Sequence, residues 1–387
     1  GLEQEQDMSR IIRARRLLTE QGWLDHHSLS HENGVITAIE PIPSDERRRD
    51  ADLLAPALID THVHGGQGVD VMDGTAAALR KLSAAKAAEG VGAFLATTVT
   101  APLPELEKVL ALIAEVRQET LPGAEILGSY LEGPYFTARN KGAHHEAWFR
   151  ELDIAELSRL IDCAAGSLRV VALAPEKPNA IAAIRHLRAA GVRVMLGHSA
   201  ADYAATRAAL DAGASGLVHC FNGMSGLHHR APGMAGAGLP HPKAWLELIA
   251  DGHHVHPAML QLCRCCAGER LILITDAMRA AGMPDGRYEL AGQMVEMRDG
   301  VVRTLEGGLA GSTLNLLAAV RNMVEFAGAD IRAAIEMASL HPARMLGVDD
   351  RLGSLAVGKR ANLLSLGAGL EQQAIWIGGR RIPPAVT

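Results

Sequence analysis

"PALIDTHVH" (residues 56–64) opens a change of rhythm in the chain. A short apolar run ends on His62 and His64, which at i and i+2 leave an extended chain on the same face. Gly65 and Gly66 follow, and then an Ala-rich stretch of helical period from Thr75 to Glu89. The pattern returns in "GAFLATTVT" (92–100), "EILGSYLEG" (125–133), "RVVALAPE" (169–176) and "VRVMLGHS" (192–199). It continues in "SGLVHCF" (215–221), "WLELIADGHHV" (245–255) and "RLILITDAM" (270–278). Helix-like segments separate these runs, at Leu103 to Glu119, Ile154 to Ala165, Ala180 to Ala190 and Ala201 to Ala212. Continuous apolar runs alternating with helices mean parallel strands covered on both faces. Eight such units predict an α/β fold, a (β/α)₈ TIM-type barrel over residues 57–351. A doubly wound sheet would want a Gly-rich phosphate loop after its first strand, where this chain has His-x-His-Gly-Gly instead.

The flanks read differently. From Ile11 to Leu54 the text suggests short strands and turns, such as "GVITAIEPIP" (34–43) with its alternating apolar residues and closing prolines. "LGSLAVGKRANLLSL" (352–366) and "QAIWIGGRRI" (373–382) are strand-like again. Residues 8–56 and 352–387 are therefore expected to form one small β-sandwich domain beside the barrel. Residues 1–7, polar and acidic ahead of Met8, are expected to be a non-native leader.

Composition narrows the function. The 387 residues are 48% hydrophobic and 21% charged, which excludes a disordered chain. A net charge of −6 argues against a nucleic-acid partner, and no run nears the ~18 apolar residues of a membrane span. The expected location is the cytoplasm. Cys163, Cys220, Cys263, Cys265 and Cys266 are odd in number and crowded, unlike a secreted disulfide framework. The last three read as reduced thiols on a helix, and strand alternation turns Cys220 toward the helices.

The chemistry lies in the polar residues that end the strands. His62 and His64 end the first, Glu132 the third, His198 the fifth, His219 the sixth and Asp276 the eighth. A parallel barrel brings all these ends to one mouth. A single such histidine is ordinary, as His26, His27, His31, His186 and His341 are expected to be. The joint placement of imidazoles and carboxylates without thiolate points to a divalent metal: Zn²⁺ first, with Fe²⁺, Mn²⁺ or Co²⁺ as alternatives. Asp276 is the natural proton carrier for a metal-activated water, and it also fits a helix N-cap after strand eight.

The motifs "DTHVHGG", "YLEGPYF", "NKGAHHE", "LAPE", "LGHS", "HCFNGMSGLHHR", "ADGHHVHP", "TDAM" and "GGLAGSTL" occur in that order, followed by the tail from "ASLHPARML" onward. Together they resemble the N-acetylglucosamine-6-phosphate deacetylase family of the amidohydrolase superfamily. The resemblance implies that Glu132, His198 and His219 are the principal metal ligands and Asp276 the catalytic carboxylate. It implies that His144, beside His145, contacts substrate and aids catalysis, with Ala143, Asn222 and Gly223 around the sugar phosphate. Arg230 and His254 would meet the phosphate and the sugar. His62 and His64 leave room for a second ion, so one or two per chain are expected. The resemblance implies no bridging lysine on strand four, where two-metal barrels often carry one and this chain reads "LAPEKP", which leaves that task to Glu132. The reaction implied is hydrolysis of N-acetyl-D-glucosamine 6-phosphate to D-glucosamine 6-phosphate and acetate. A homodimer is implied too, with Arg230, in the loop from Asn222 to Pro242, reaching across to the partner. The rivals are an amidohydrolase acting on a cyclic amide or an N-acyl amino acid, and a catalytically silent binding relative. Arg230 with "HCFNGM" speaks against the first, and the intact strand-end set against the second.

Overall fold

The structure, a computed structural model, describes residues 10–384. Its centre is an eight-stranded parallel sheet with the strands in chain order: Leu58–Val63, Val91–Thr98, Glu125–Glu132, Leu168–Leu173, Arg193–Leu196, Gly216–Leu217, Trp245–Leu248 and Leu271–Leu273. These are the eight runs expected from the sequence. No ladder joins the eighth strand to the first. The seam is closed instead by Asp276 N–H donating to the His62 carbonyl (2.8 Å) and Thr275 Oγ1 donating to Asp60 Oδ2 (2.6 Å). Every residue of Val91–Thr98 is buried, as a strand between barrel interior and helices must be.

The crossovers are short, Ala- and Leu-rich helices, and side-chain caps fix the starts of several. Thr75 accepts from Ala78 N–H ahead of Ala76–Ala87, Asp153 from Glu156 N–H ahead of Ile154–Cys163, and Asp202 from Ala205 N–H ahead of Tyr203–Asp211. One cluster of buried side chains runs through strands and helices alike, with Phe94, Leu131, Val171, Leu196, Leu246 and Ile272 at its centre. A buried ion pair sits inside it: Lys86 Nζ lies 2.8 Å from Asp60 and 2.6 Å from Glu89.

The two flanks pair into one seven-stranded sheet. Its order is Arg380–Arg381, Gln372–Ile377, Leu363–Leu366, Ala51–Pro56, Ile11–Thr19, Gly22–Glu32, Val35–Pro41. The expected sandwich takes the form of this single sheet curled until its far ends meet. Val35 bridges Arg360, and Gly34 is so close to the Gly378 carbonyl that a Cβ there would lie 3.2 Å from it. The curl encloses its own apolar cluster, which includes Leu17, Leu29, Ile36, Leu54, Leu363 and Trp376.

One region departs from the sequence reading. The segment after strand eight is no helix, so Asp276 is not an N-cap. A three-stranded antiparallel ribbon follows (Gly286–Leu290, Gln293–Arg298, Val301–Thr304), and the next helix starts only at Leu316. Ala277 bridges Ser312 instead, which pins the chain to the "GGLAGSTL" segment at the barrel rim.

Candidate active site

The strand ends gather one buried cluster. Glu132 is the last residue of the third strand, while His198, His219 and Asp276 stand two or three residues beyond the fifth, sixth and eighth. Those three have φ of 43°, 24° and 49°, a left-handed backbone that residues with a Cβ seldom adopt. Such strain persists only where surrounding bonds fix it. Here the Asp276 amide is held by His62 O, its carbonyl by Ser312 N–H (2.8 Å), and the His198 carbonyl by Thr137 N–H (3.2 Å). The His198 ring lies between two glycines. A Cβ on Gly223 would come within 3.0 Å of its Nδ1 and one on Gly142 within 3.1 Å of its Cε1.

The hydrogen bonds on the outer ring nitrogens set the tautomers. His198 Nδ1 faces the Asn140 carbonyl (2.8 Å), His219 Nδ1 the Asn222 carbonyl (2.9 Å) and His64 Nδ1 the Thr97 carbonyl (3.1 Å). His62 Nδ1 faces Glu247 Oε1 at 2.8 Å. A carbonyl or carboxylate oxygen only accepts, so each Nδ1 carries a proton, and in the neutral ring each Nε2 is a bare lone pair. Those lone pairs converge. His198 Nε2 and His219 Nε2 are 3.2 Å apart and lie 3.6 and 3.5 Å from Glu132 Oε2. His62 Nε2 is 3.2 Å from Glu132 and 3.3 Å from Asp276, and His64 Nε2 is 3.0 and 2.9 Å from the same two carboxylates. The buried His62 Nε2 and Glu132 Oε2 have no hydrogen-bond partner. Acceptors facing acceptors out of water require a cation, and the donor set divides into His62, His64, Glu132, Asp276 and Glu132, His198, His219. The residues present therefore fit one or two divalent ions sharing Glu132.

The protonation equilibria express the same demand. Burial by itself would lower the histidines and raise the carboxylates, but mutual attraction reverses the sign at His62, His64, Glu132 and Asp276. His62 is held well above the ordinary histidine range by Glu132, Glu247 and Asp276, and His64 is pushed up to about 10 by Asp276 and Glu132. Glu132 and Asp276 are held well below the carboxylate range, in each case mainly by His62. Without a cation, protons on His62 and His64 take its place.

His144 is wired the opposite way. Its Nδ1 accepts from the Thr100 amide (3.3 Å) and lies 2.9 Å from Thr100 Oγ1, so the ring proton sits on Nε2, which points at Glu132 Oε1 from 3.3 Å. Burial, followed by the neighbouring His198, pushes its pKa down to about 4, so it is a neutral donor at pH 7. His145 turns away and stacks on Trp148 at 4.6 Å.

A cavity of about 300 Å³ opens over the cluster, lined among others by Ala143, His144, Asn222, Gly223 and His254. Asp251 Oδ2 fixes the His254 ring through Nδ1 (2.7 Å). The ribbon after strand eight supplies Leu290 and Ala291, and Gly308, Leu309 and Gly311 of the "GGLAGSTL" motif complete the wall. Arg230 is not among the lining residues of its own chain. It is exposed, with Nη1 2.8 Å from His229.

Glu247 and Tyr130 were missed by the sequence reading. Glu247 is wholly buried in strand seven, accepting from His62, from Tyr130 Oη (2.8 Å) and from the His219 amide (3.3 Å). A glutamate inside the apolar run "WLELIA" was the available signal. The histidines set aside as ordinary have structural partners: His341 Nδ1 donates to the Leu271 carbonyl (2.6 Å), His186 lies 2.8 Å from Ser158 Oγ, and His27 Nδ1 lies 2.8 Å from the Asp25 carbonyl. All five cysteines are free thiols. Cys263, Cys265 and Cys266 lie on the helix Pro257–Ala267, and a contact with Cys263 pushes the Cys220 thiol up.

An eight-stranded parallel barrel whose mouth gathers imidazoles and carboxylates in this way defines a hydrolase of the metal-dependent barrel class. The chain belongs to the amidohydrolase family, whose model matches residues 53–382. It is 65% identical over 373 residues to an N-acetylgalactosamine-6-phosphate deacetylase of Escherichia coli O157:H7, covering 96% of this chain and 99% of that one. It is 51% identical over 384 residues to an N-acetylglucosamine-6-phosphate deacetylase of Vibrio furnissii, covering 97% and 96%. Among solved structures, a mutant N-acetyl-D-glucosamine-6-phosphate deacetylase from Mycobacterium smegmatis, in complex with N-acetyl-D-glucosamine-6-phosphate, superposes with a TM-score of 0.91. That match has 33% identity and covers 96% of this chain and 98% of that one.

Proposed function

We propose that this enzyme hydrolyses the acetamide of N-acetyl-D-glucosamine 6-phosphate to D-glucosamine 6-phosphate and acetate. The observation that carries the reading is the opposed wiring of the mouth: four imidazoles tie their Nδ1–H to oxygens and turn Nε2 toward two carboxylates, whereas His144 accepts at Nδ1 and turns an Nε2–H into the mouth. The names of the relatives supply the substrate class.

Glu132, His198 and His219 would hold one divalent ion, and His62, His64 and Asp276 a second that shares Glu132, with zinc as the best match to the donor set and Fe²⁺, Mn²⁺ or Co²⁺ as alternatives. A cation there supplies Lewis acidity, lowering the pKa of water and polarising a carbonyl. Asp276 accepts the proton of the attacking water and later delivers it to the departing amine. His144 donates Nε2–H to the acetamide oxygen as negative charge gathers there. Ala143, Asn222, Gly223 and His254 position the sugar.

Among the described residues no lysine or arginine lines this cavity. A substrate phosphate needs a cation from elsewhere, which favours a homodimer in which Arg230 of one protomer enters the mouth of the other. Residues 57–351 form the catalytic domain in this reading, and the described parts of 8–56 and 352–387 the flanking β-domain; the expected leader, residues 1–7, lies outside the described residues. The free thiols fit a cytoplasmic location. Among the described residues no helix is long and apolar enough to cross a membrane.

The 65%-identical relative is named for the galactosamine epimer, which favours a second reading with the same chemistry on N-acetylgalactosamine 6-phosphate. Rates on the two epimers decide between them. Asp276→Asn tests the mechanism: it should keep bound metal and lose about 10²–10⁴-fold in turnover, whereas near-normal turnover would remove Asp276 from the proton path.

A further inference from the structure

The opposite end of the barrel carries a concentration of positive charge that the deacetylation chemistry does not use. Arg169 lies near the start of strand four and Arg193 starts strand five. Arg117 follows the helix Leu103–Val116, and Arg351 lies in the loop after the helix Leu340–Leu346. With Leu127 and Leu346 they line a cavity of about 100 Å³. All of these strand positions are N-terminal, so the cavity opens on the face away from the metal-ligand cluster.

Backbone carbonyls anchor three of the guanidinium groups. Arg169 Nε donates to Leu127 O (2.9 Å) and Arg117 Nη2 to the same oxygen (3.4 Å), while Arg193 Nε donates to Met345 O (3.0 Å) and Nη1 to Gly191 O (3.3 Å). These bonds leave most of each fork unused. Among the described residues, Arg117, Arg169 and Arg193 have no carboxylate within ion-pair distance, and Arg351 reaches only Asp350, at 3.9 Å. Arg117 Nε is buried with no hydrogen-bond partner. The crowding is felt: burial and then the charges of Arg117, Arg351 and Arg193 lower the pKa of Arg169. The helix ends at Val116 and Leu346 bring partial negative charge to the rim, but helix ends offset charges at about 0.3–1 kcal/mol each and do not neutralise four cations. Capping the barrel floor accounts for single arginines. It does not account for four around one hole in a chain of net charge −6.

We propose that this cavity binds a phosphate-class oxyanion, either inorganic phosphate or the phosphate of a small phosphomonoester. The bound anion would tie the starts of strands four and five to Arg117, behind the helix Leu103–Val116, and to Arg351, in the loop after Leu340–Leu346. The site has room for one tetrahedral oxyanion and none for a sugar ring beside it, so it is a second phosphate locus and not a second substrate site.

The test is calorimetric titration of the metal-loaded full chain with inorganic phosphate, and separately with glycerol 3-phosphate, at low ionic strength where screening is weak. The wild type is compared with Arg117→Gln/Arg351→Gln. The double variant should bind the oxyanion at least tenfold more weakly at this locus, with kcat/KM for the sugar phosphate within twofold of wild type. Arg351→Gln alone, which changes an exposed side chain with no bond to the backbone among the described residues, should weaken binding threefold or more and serves if the double variant fails to fold. Equal affinity for the two probes marks the free oxyanion as the ligand, and tighter glycerol 3-phosphate marks a monoester. Identical titrations of wild type and both variants would overturn the site.

Discussion

Glu247→Gln is a change of one atom type at the centre of the barrel, and its consequence follows from three hydrogen bonds. The carboxylate accepts from His62 Nδ1–H and the His219 amide through Oε1 and from Tyr130 Oη through Oε2. Glutamine has one acceptor oxygen. If that oxygen stays with His62 and His219, the new NH₂ faces Tyr130, whose hydroxyl must rotate and accept. If it turns to Tyr130, the NH₂ confronts His62 Nδ1–H, and the ring must move its proton onto Nε2, where metal would bind. In either orientation His62 loses the negative partner that makes its Nε2 basic. Outer partners of this kind change metal affinity by about 10–100-fold, which is about 1.4–2.7 kcal/mol. The volume and burial are unchanged, so the fold should survive. The assay is competition of the metal-free protein against a chromophoric chelator, with metal stoichiometry measured in parallel. The ion held through His62 should weaken by that factor, and the ion held by Glu132, His198 and His219 should weaken less, because Glu247 touches only the backbone of His219. Unchanged affinity for both ions would refute the reasoning.

Two further outcomes are expected. His64 is pushed up to about 10 and His62 is held well above the ordinary histidine range, so the metal-free protein holds extra protons at this cluster at pH 7.5 and ligation displaces them; filling both positions should release at least one proton per chain. Calorimetry of metal binding in buffers of different ionisation enthalpy reads that number, and buffer-independent heats would contradict it. Gly223→Ala sets a Cβ 3.0 Å from His198 Nδ1 at a φ of +67°, a backbone strain of about 1–2 kcal/mol that also displaces the ring. Turnover should fall at least tenfold, while Gly226→Ala, with open space around it, should leave turnover near wild type; equal activity of the two variants would detach His198 from the site.

Much of this was legible because barrel strands repeat one grammar. His62, Glu132, His198, His219 and Asp276 each close an apolar run, so their meeting at one mouth followed from topology alone. Glu247 obeyed no such rule. It lies inside its strand and is stabilised only by partners from strands one, three and six, which no local pattern reveals. The ribbon after Asp276 was missed for a similar reason: an Asp after a strand reads locally as a helix cap, whereas Ala277 pairs with Ser312, 35 positions away. Arg230 lies outside its own chain's cavity, so its proposed role depends on a neighbour that a single chain does not contain. The choice of His144 over its neighbour His145 rests on Thr100, contributed by the second strand's loop.

The central claim is that this mouth deacetylates a phosphorylated amino sugar with metal-dependent chemistry. The most direct measurement is acetate release from N-acetylglucosamine 6-phosphate and from unphosphorylated N-acetylglucosamine, with metal-analysed protein before and after chelation. Turnover of the phosphorylated sugar alone is expected, lost on chelation and restored by a divalent ion. Absence of acetate from both sugars in the metal-loaded protein, or turnover that survives complete removal of metal, would contradict it.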